Sequence, residues 1–220
     1  MNIFVTGGTG YIGSRLIPLL AERRHNLKAL VRKGSETKLP TGAIGVIGDA
    51  LRMNSYPNEI APADTFLHLI GTPHPSPAKA KQFHDVDLVS IQVAIKAARD
   101  ARVQHFIYLS VAQPASMMKA FIEVRSAGEA MIRESGINAT FVRPWYVLGP
   151  GHWWPYAILP VYWILERLPN TKESARRLGL VTINEILNAL VWVIENPPTE
   201  IRIIDVPRIR KVSRLLPICR

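Results

Sequence analysis

Cysteine is nearly absent from this chain of 220 residues, in which Cys219 is the only one. A single thiol excludes an internal disulfide and fits a reducing compartment, because oxidising compartments favour disulfide-bonded proteins. The first residues enter an apolar run with no basic stretch before it, so the sequence predicts no secretory signal peptide. We therefore expect a cytoplasmic protein.

Acidic side chains are in the minority, with 17 of them against 27 lysines and arginines, which gives a formal net charge of +10. A charge of this size favours an anionic partner, such as a phosphorylated cofactor, a nucleic acid or an anionic membrane surface. The basic residues are dispersed, and the sequence shows no recognition-helix pattern, zinc-ligand spacing or aromatic RNA-binding signature. Neither nucleic-acid binding nor a metal site is predicted.

Long apolar runs are also lacking. The run over residues 157–165 contains Pro160 and is shorter than the roughly 20 residues that span a bilayer. The segment over residues 145–168 nevertheless holds most of the tryptophans. Tryptophan and tyrosine favour membrane interfaces, so peripheral membrane contact stays open beside packing in a core or in a substrate pocket.

A glycine-rich turn near the amino terminus carries the strongest signal in the sequence. Residues 3–5 form a strand-like apolar run, and TGGTGYIG follows before a helical pattern begins. Glycines at positions 8, 10 and 13 match the G-x-G-x-x-G fingerprint in its required context, between a strand and a helix. The turn therefore predicts a dinucleotide site in which the first amides of the helix face a pyrophosphate.

The end of the second strand indicates which dinucleotide is favoured. This strand is predicted over residues 27–31, about twenty residues after the turn, as a βαβ unit requires. An NAD site has Asp or Glu at this strand end, whereas here Arg32 and Lys33 follow. A guanidinium binds a 2′-phosphate that a carboxylate would repel, so the sequence predicts NADP(H) in preference to NAD(H).

Two further strand ends are expected to border the cofactor. A third strand is followed by Asp49, which either meets the adenine amino group or caps the next turn. A fully apolar strand over residues 65–70 leads to Gly71. Ligands of open parallel sheets lie beyond the carboxyl ends of strands, so Leu69, Ile70 and Gly71 should line the cleft.

Strand and helix patterns alternate along the chain. Helices are predicted over residues 79–101, 121–135 and 182–195, with strand patterns over residues 104–109 and 138–142 between them. The alternation predicts the α/β class, a doubly wound parallel sheet in a single domain over residues 1–220, with residues 145–220 adding the substrate-side elements. The basic end, residues 207–220, is expected to be solvated and frayed.

The order of these signals resembles the short-chain dehydrogenase/reductase superfamily, in its atypical branch of NmrA-like and epimerase-like proteins. The matching text is TGGTGYIG at 6–13, LVR at 30–32, GD at 48–49, FIYLS at 106–110, RSAGEAMIRESGINATFVRP at 125–144 and LVTINEILNAL at 180–190. The resemblance implies a Rossmann-type sheet of strand order 3-2-1-4-5-6 with a short C-terminal extension, and an NAD(P) cofactor. The cofactor-binding residues expected from the motif and the resemblance are Gly7, Thr9, Gly10, Tyr11, Ile12, Gly13, Arg32, Lys33, Asp49, Ala50, Leu69, Ile70, Gly71, Ser110, Arg125 and Pro144.

The resemblance also indicates where catalysis would occur. Enzymes of this superfamily combine a Ser or Thr at the end of strand 5 with a Tyr-x-x-x-Lys on the next helix, where lysine lowers the pKa of the phenol that exchanges a proton with substrate. Ser110 matches the first position, but Phe121 stands at the tyrosine position and Arg125 at the lysine position. Phenylalanine transfers no proton, and Arg125 is expected only to hold ribose hydroxyls. Tyr108 and Tyr146 are either replacement acids or packing residues.

This departure leaves two functions open. In the first, an NADPH-dependent oxidoreductase of the atypical branch reduces a small, flat, electron-poor substrate, such as a quinone or an enone, without the Tyr-x-x-x-Lys pair. In the second, the protein binds NADP(H) without catalysis, as a redox sensor or an assembly subunit. The aromatic segment after strand 6 supplies the expected substrate-binding residues Trp145, Tyr146, His152 and Trp153.

Overall fold

A parallel sheet forms the centre of the protein, and the computed structural model describes it through residues 1–115, 117–151 and 172–216. The strands are β1 (Asn2–Thr6), β2 (Asn26–Val31), β3 (Ile44–Ile47), β4 (Thr65–His68), β5 (His105–Leu109), β6 (Ala139–Arg143), β7 (Tyr146–Leu148), β8 (Leu180–Thr182) and β9 (Arg202–Asp205). The large sheet has seven strands in the order β3-β2-β1-β4-β5-β6-β9, all parallel. The predicted order 3-2-1-4-5-6 is confirmed, and β9 extends the sheet beyond β6.

A second, two-stranded sheet is formed by β7 and β8, which also run parallel. It lies in the part of the sequence that was expected to contribute the substrate-side elements.

Helices cover both faces of the large sheet. They are α1 (Gly13–Glu22), α2 (Val89–Asp100), α3 (Lys119–Ser135), α4 (Lys172–Arg177), α5 (Ile183–Glu195) and α6 (Val206–Ser213). The helix predicted over residues 79–101 is not uniform, because α2 is preceded by a 3-10 turn at Pro77–Lys79, a short α-helical turn at Ala80–Gln82 and a π-helical segment at Phe83–Leu88. A π turn has more residues than an α turn, so it changes which side chains face the sheet.

Alternate residues of each strand enter two different cores, because both faces of the sheet are covered. The core under α1, α5 and α6 is aliphatic and includes Ile3 and Val5. The core under α2 and α3 is aromatic, and the ring centroids of Phe4 and Phe106 lie 5.3 and 5.1 Å from that of Phe66 between them. The continuous apolar strands of the sequence thus supply both cores at once.

Two histidines are buried in the sheet. His68 Nδ1 lies 2.9 Å from Thr6 Oγ1, and its Nε2 lies 3.4 Å from Ser90 Oγ. His105 Nε2 lies 3.0 Å from Thr140 Oγ1. Burial, assisted by a nearby arginine charge in each case, lowers the pKa of both histidines to about 3. Both rings are therefore neutral parts of the core.

The basic end of the chain differs from the prediction. The expectation of a frayed, solvated segment over residues 207–220 is wrong for its first part, which forms most of α6. Val206, Ile209 and Val212 recur every three residues, are buried, and belong to the aliphatic core. Asp205 caps the helix by accepting a hydrogen bond from a first-turn amide. The segment is therefore an amphipathic helix in which basic side chains lie between the apolar residues that pack in the aliphatic core.

Crossing a bilayer needs a long apolar helix, and the described ranges contain none.

Candidate functional site: a dinucleotide cleft at the carboxyl edge

The glycine turn joins β1, α1 and the end of β4 at very short distances. Gly7 has φ +82°, and a Cβ on it would lie 2.8 Å from the carbonyl carbon of Leu69. A Cβ on Gly13 would collide with Gly7 O and lie 2.8 Å from Gly8 Cα. These glycines are therefore required by packing within the protein, which brings the start of α1 directly over the strand ends.

Gly10 is different, because it faces outward. It is exposed, and a Cβ there would meet only Gly7 O, at 3.2 Å. Its amide donates to Gly7 O, and its carbonyl accepts from Ser14 N. Thr9 beside it is also exposed. Open space over bare backbone is what close approach of a pyrophosphate requires, so this loop fits the phosphates of a dinucleotide.

The first turn of α1 supports the same assignment. The residue before the helix, Ile12, makes no side-chain capping hydrogen bond, and the first turn carries no acidic side chain. The first amides of an α-helix have no acceptor within the helix and carry the positive end of its dipole. Ser14 N and Arg15 N already donate to Gly10 O and Ile12 O, so an anion at this position would be stabilised chiefly by the positive end of the dipole.

The end of β2 presents two exposed cations, Arg32 and Lys33. Within the described part of the chain, neither side chain has an ion-pair partner. Asp49 follows β3, and its Oδ1 accepts from Leu51 N at 3.0 Å, so this carboxylate caps the turn. Ala50 beside it is half-buried. The edge of the cleft next to β2 is therefore basic.

The end of β4 lies against the glycine turn. Leu69 N donates to Thr6 O at 2.9 Å, and the side chains of Leu69 and Ile70 are half-buried. Gly71 is exposed, but a Cβ on it would collide with the Arg125 guanidinium. These positions provide an apolar wall next to a buried cation.

Arg125 is buried, and its charge is matched within the protein. Its Nη2 lies 2.6 Å from Asp87 Oδ1, while its Nη1 donates to Leu109 O at 3.0 Å and to Ile70 O at 3.3 Å. Asp87 is 1% exposed and also accepts from Thr72 N and Thr72 Oγ1, at 3.0 and 2.6 Å. The guanidinium thus ties the ends of β4 and β5 to the π-helical segment. No periodic pattern of the sequence indicated Asp87, because the π turn, and not an α-helical repeat, directs its side chain inward.

Ser110 also has an internal partner. Its Oγ donates to Glu129 Oε1 at 2.6 Å, and the same oxygen accepts from Arg143 Nε at 2.8 Å and from Gln113 Nε2 at 3.1 Å. Arg143 Nη2 binds the other carboxylate oxygen. A carboxylate only accepts hydrogen bonds, so the Ser110 hydroxyl proton is committed to Glu129. Glu129 lies four residues after Arg125, and this shared helix face was the available signal for it.

The position of the missing tyrosine is occupied by a packed ring. The Phe121 and Phe83 centroids are 5.0 Å apart, and the Arg125 guanidinium carbon lies 5.2 Å from the Phe121 centroid. Tyr108 is 0% exposed, and burial raises the pKa of its phenol. Tyr108 is therefore a packing residue, which was one of the two roles considered for it, the other being a replacement acid.

The substrate side of the cleft was predicted to lie in the residues that follow β6. Pro144 is buried, and Trp145 and Tyr146 are half-buried with their rings edge to face at 5.5 Å. A Cβ on Gly149 would collide with the Tyr11 hydroxyl, so this region touches the glycine turn. The predicted substrate residues His152 and Trp153 lie outside the described residues. Among those described, no group of three or more metal-ligating side chains comes together.

Two curated proteins are similar to this chain in sequence. The 4-hydroxy-2-methyl-3-oxo-4-farnesyl-3,4-dihydroquinoline-1-oxide ketoreductase of Stigmatella aurantiaca is 30% identical over 112 residues, which are 50% of this chain and 33% of that protein. The photosystem II assembly factor Ycf39 of Cyanophora paradoxa is 25% identical over 147 residues, 65% of this chain and 44% of that protein. This chain therefore spans less than half the length of either relative.

The fold has close structural counterparts. The UDP-glucuronic acid 4-epimerase of Bacillus cereus, solved in complex with NAD, superposes with a TM-score of 0.68 at 18% identity, covering 93% of this chain and 77% of that one. The NAD(P)H-binding family model matches residues 7–150, from the glycine turn to the end of β7 and just beyond. With that match over most of its length, the chain belongs to the NAD(P)H-binding family and shares the Rossmann-type fold of the epimerases and reductases that it resembles.

Proposed function

We propose that this chain is an NADPH-dependent oxidoreductase that reduces a small, flat, electron-poor substrate, such as a quinone or an enone, without a Tyr-x-x-x-Lys pair. The observation that carries the proposal is the packing at the two positions of that pair. Phe121 packs against Phe83 with the two rings tilted, and Arg125 is held in an ion pair with Asp87. Such a site supports the reduction of a substrate that does not need a proton from a tyrosine of the protein.

The preference for NADPH rests on Arg32 and Lys33. Both are exposed at the end of β2, the strand end that binds the adenine ribose in Rossmann-type folds. A 2′-phosphate would receive charge-assisted hydrogen bonds from the Arg32 guanidinium. The ribose hydroxyl of NADH would find no carboxylate following β2.

The chain's own residues would bind and orient the reactants. The backbone around Gly10 accepts the pyrophosphate, and Leu69 and Ile70 exclude water from the cleft. Trp145 and Tyr146 offer flat apolar surface to a planar ring. NADPH, when bound, supplies the hydride, and water supplies the proton that completes a two-electron reduction of a quinone to a hydroquinone.

Calorimetry and a turnover assay test the proposal together. NADPH should bind more tightly than NADH, and NADPH oxidation should be seen with at least one member of a panel of quinones, enones and aldehydes. Arg32→Ala should reduce this preference, whereas Arg24→Ala, which removes an exposed charge from the far end of α1, should leave it unchanged. Equal affinity for the two dinucleotides would refute the preference.

A second function is favoured by the internal use of the polar groups at the cleft. Ser110 and Arg125 bind Glu129 and Asp87, which suits a non-catalytic NADP(H)-binding redox sensor or assembly subunit. The similarity to an assembly factor supports this alternative. Tight NADPH binding with no turnover on the whole panel would select it. A cytoplasmic location, with or without peripheral membrane contact, stays a prediction under either function.

A further inference from the structure

Arg15 is a half-buried arginine held against the glycine turn. It is the third residue of α1, and helical side chains point back towards the amino end of their helix. Its guanidinium carbon lies 4.2 Å from the centroid of the Tyr11 ring, and its Nη1 donates to Tyr11 O at 2.8 Å. A full positive charge is thereby positioned beside the first amides of the helix.

The charge of Arg15 is not matched by a carboxylate. Among the residues that the structure describes, none places a carboxylate within ion-pair distance of Arg15. Two other arginines do have such a partner: exposed Arg23 at the opposite end of α1 binds Glu195 at 2.6 Å, and buried Arg125 binds Asp87 at 2.6 Å. A cation near the amino end of a helix also faces the positive end of the dipole, which is unfavourable. The contacts with the Tyr11 ring and carbonyl hold the guanidinium in place, but its full charge is left without an anion among the described residues.

We propose that Arg15 binds the pyrophosphate of the dinucleotide, an inference that rests on the proposed function. The glycine turn fits that group, and the guanidinium lies against the same turn with further N–H donors beyond the one that Tyr11 O accepts. A pyrophosphate would supply the negative charge that α1 lacks in its first turn. Arg15 differs in this respect from Arg32, because the pyrophosphate is common to NADPH and NADH while the 2′-phosphate is not.

A substitution of Arg15 is expected to affect the affinity for the dinucleotide and the stability of the ligand-free protein differently. Replacing Arg15 by methionine keeps an unbranched apolar stem against the Tyr11 ring but removes the charge. In the ligand-free protein this change removes an unfavourable interaction with the helix dipole together with the hydrogen bond and cation-π contact to Tyr11, and these effects oppose each other. In the bound protein it removes a charge-assisted hydrogen bond to phosphate. A purely structural role for Arg15 would predict losses in both states.

The test compares Arg15→Met, Arg15→Lys and Arg24→Met in the full chain, with dissociation constants for NADPH and NADH from calorimetry. We expect Arg15→Met to weaken both dinucleotides by the same factor, about tenfold or more, which is the usual loss for a hydrogen bond to a charged group. Arg15→Lys should recover part of the affinity. Arg24→Met, which removes the same charge from the other end of α1, should leave both constants unchanged.

Thermal melting supplies the second readout. Ligand-free Arg15→Met should melt close to the native chain, because relief from the helix dipole offsets the lost contacts with Tyr11, while the rise in melting temperature on adding NADPH should be smaller. Unchanged affinity, a loss confined to NADPH, or an undiminished rise in melting temperature on adding NADPH would each overturn the role of Arg15. Failure of the native chain to bind either dinucleotide would instead refute the proposed function itself.

Discussion

Substitution of Asp87 measures how much the buried ion pair between Asp87 and Arg125 contributes to the free energy of unfolding. Asp87→Asn removes the negative charge while keeping a side-chain oxygen that can still accept from Thr72 N. The change therefore isolates the charge of Arg125, which is 5% exposed and has no other anionic partner in the described ranges. In this variant the buried guanidinium of Arg125 has only uncharged acceptors among the described residues.

The expected cost is large, because water cannot reach the uncompensated charge. Breaking a buried ion pair by removing one partner typically costs about 3–5 kcal/mol. That is a substantial fraction of the roughly 5–15 kcal/mol that holds a domain folded. Replacing both partners, as in Asp87→Asn with Arg125→Met, removes the unpaired charge and should restore much of the loss. The two single changes should therefore be strongly non-additive.

Urea unfolding of the two single variants and the double variant measures the coupling. Asp85→Asn is a matched control, since Asp85 lies two residues away and forms an exposed pair with Lys81 that is worth at most a few tenths of a kcal/mol. A loss below about 1 kcal/mol for Asp87→Asn, or a double variant whose loss equals the sum of the single losses, would refute the account of a desolvated pair.

Three further results are expected. Gly13→Ala should unfold at lower urea and lose dinucleotide affinity, because its Cβ would collide with Gly7 O. Ile209→Ala should lower the free energy of unfolding by about 2–5 kcal/mol in the same assay, because this side chain on the inner face of α6 is fully buried. Acid should destabilise the protein from pH 6.5 down towards pH 3, since burial lowers the pKa of His68 and His105 to about 3 and the unfolded chain binds more protons in that range. Each histidine should contribute about 1.4 kcal/mol per pH unit, and the His105→Gln variant should show a shallower slope.

Each of these has an outcome that contradicts it. Native-like unfolding of Gly13→Ala would mean that α1 can move away from the turn at little cost. A negligible loss for Ile209→Ala would mean that α6 does not share the aliphatic core. An unchanged slope between pH 3 and pH 6.5 in the His105→Gln variant would show that this ring titrates normally in the folded protein.

The sequence was most informative where local constraints decide the structure. The glycine turn and the apolar strands could be predicted because glycine spacing and continuous apolar runs act over short distances, whereas the order of the sheet was implied by the resemblance to the short-chain superfamily. The basic pair after β2 was visible for the same reason. The extent of α6 was missed because its three apolar residues are separated by charged ones, and composition outweighed their spacing.

Partner choice in the cleft could not be predicted. Whether Arg125 faces ribose or a carboxylate depends on Asp87, which only the π-helical segment brings within reach. Glu129 is likewise one of several acidic residues on α3, and only the folded structure brings Ser110, after β5, and Arg143, at the end of β6, into contact with it. Such contacts are set by tertiary packing, so the four-residue spacing of Glu129 from Arg125 indicates a shared helix face but not the partners of either side chain.

The small sheet of β7 and β8 has a consequence for how such a protein can diversify. Parallel strands require a crossover, so the chain must leave the far end of β7 and return to the near end of β8. The pairing of β7 with β8 is separate from the seven-stranded sheet, whose strand ends form the dinucleotide cleft. Under the proposed function, exchange of the sequence between β7 and β8 among relatives would therefore alter substrate preference while leaving the strands of the dinucleotide cleft intact.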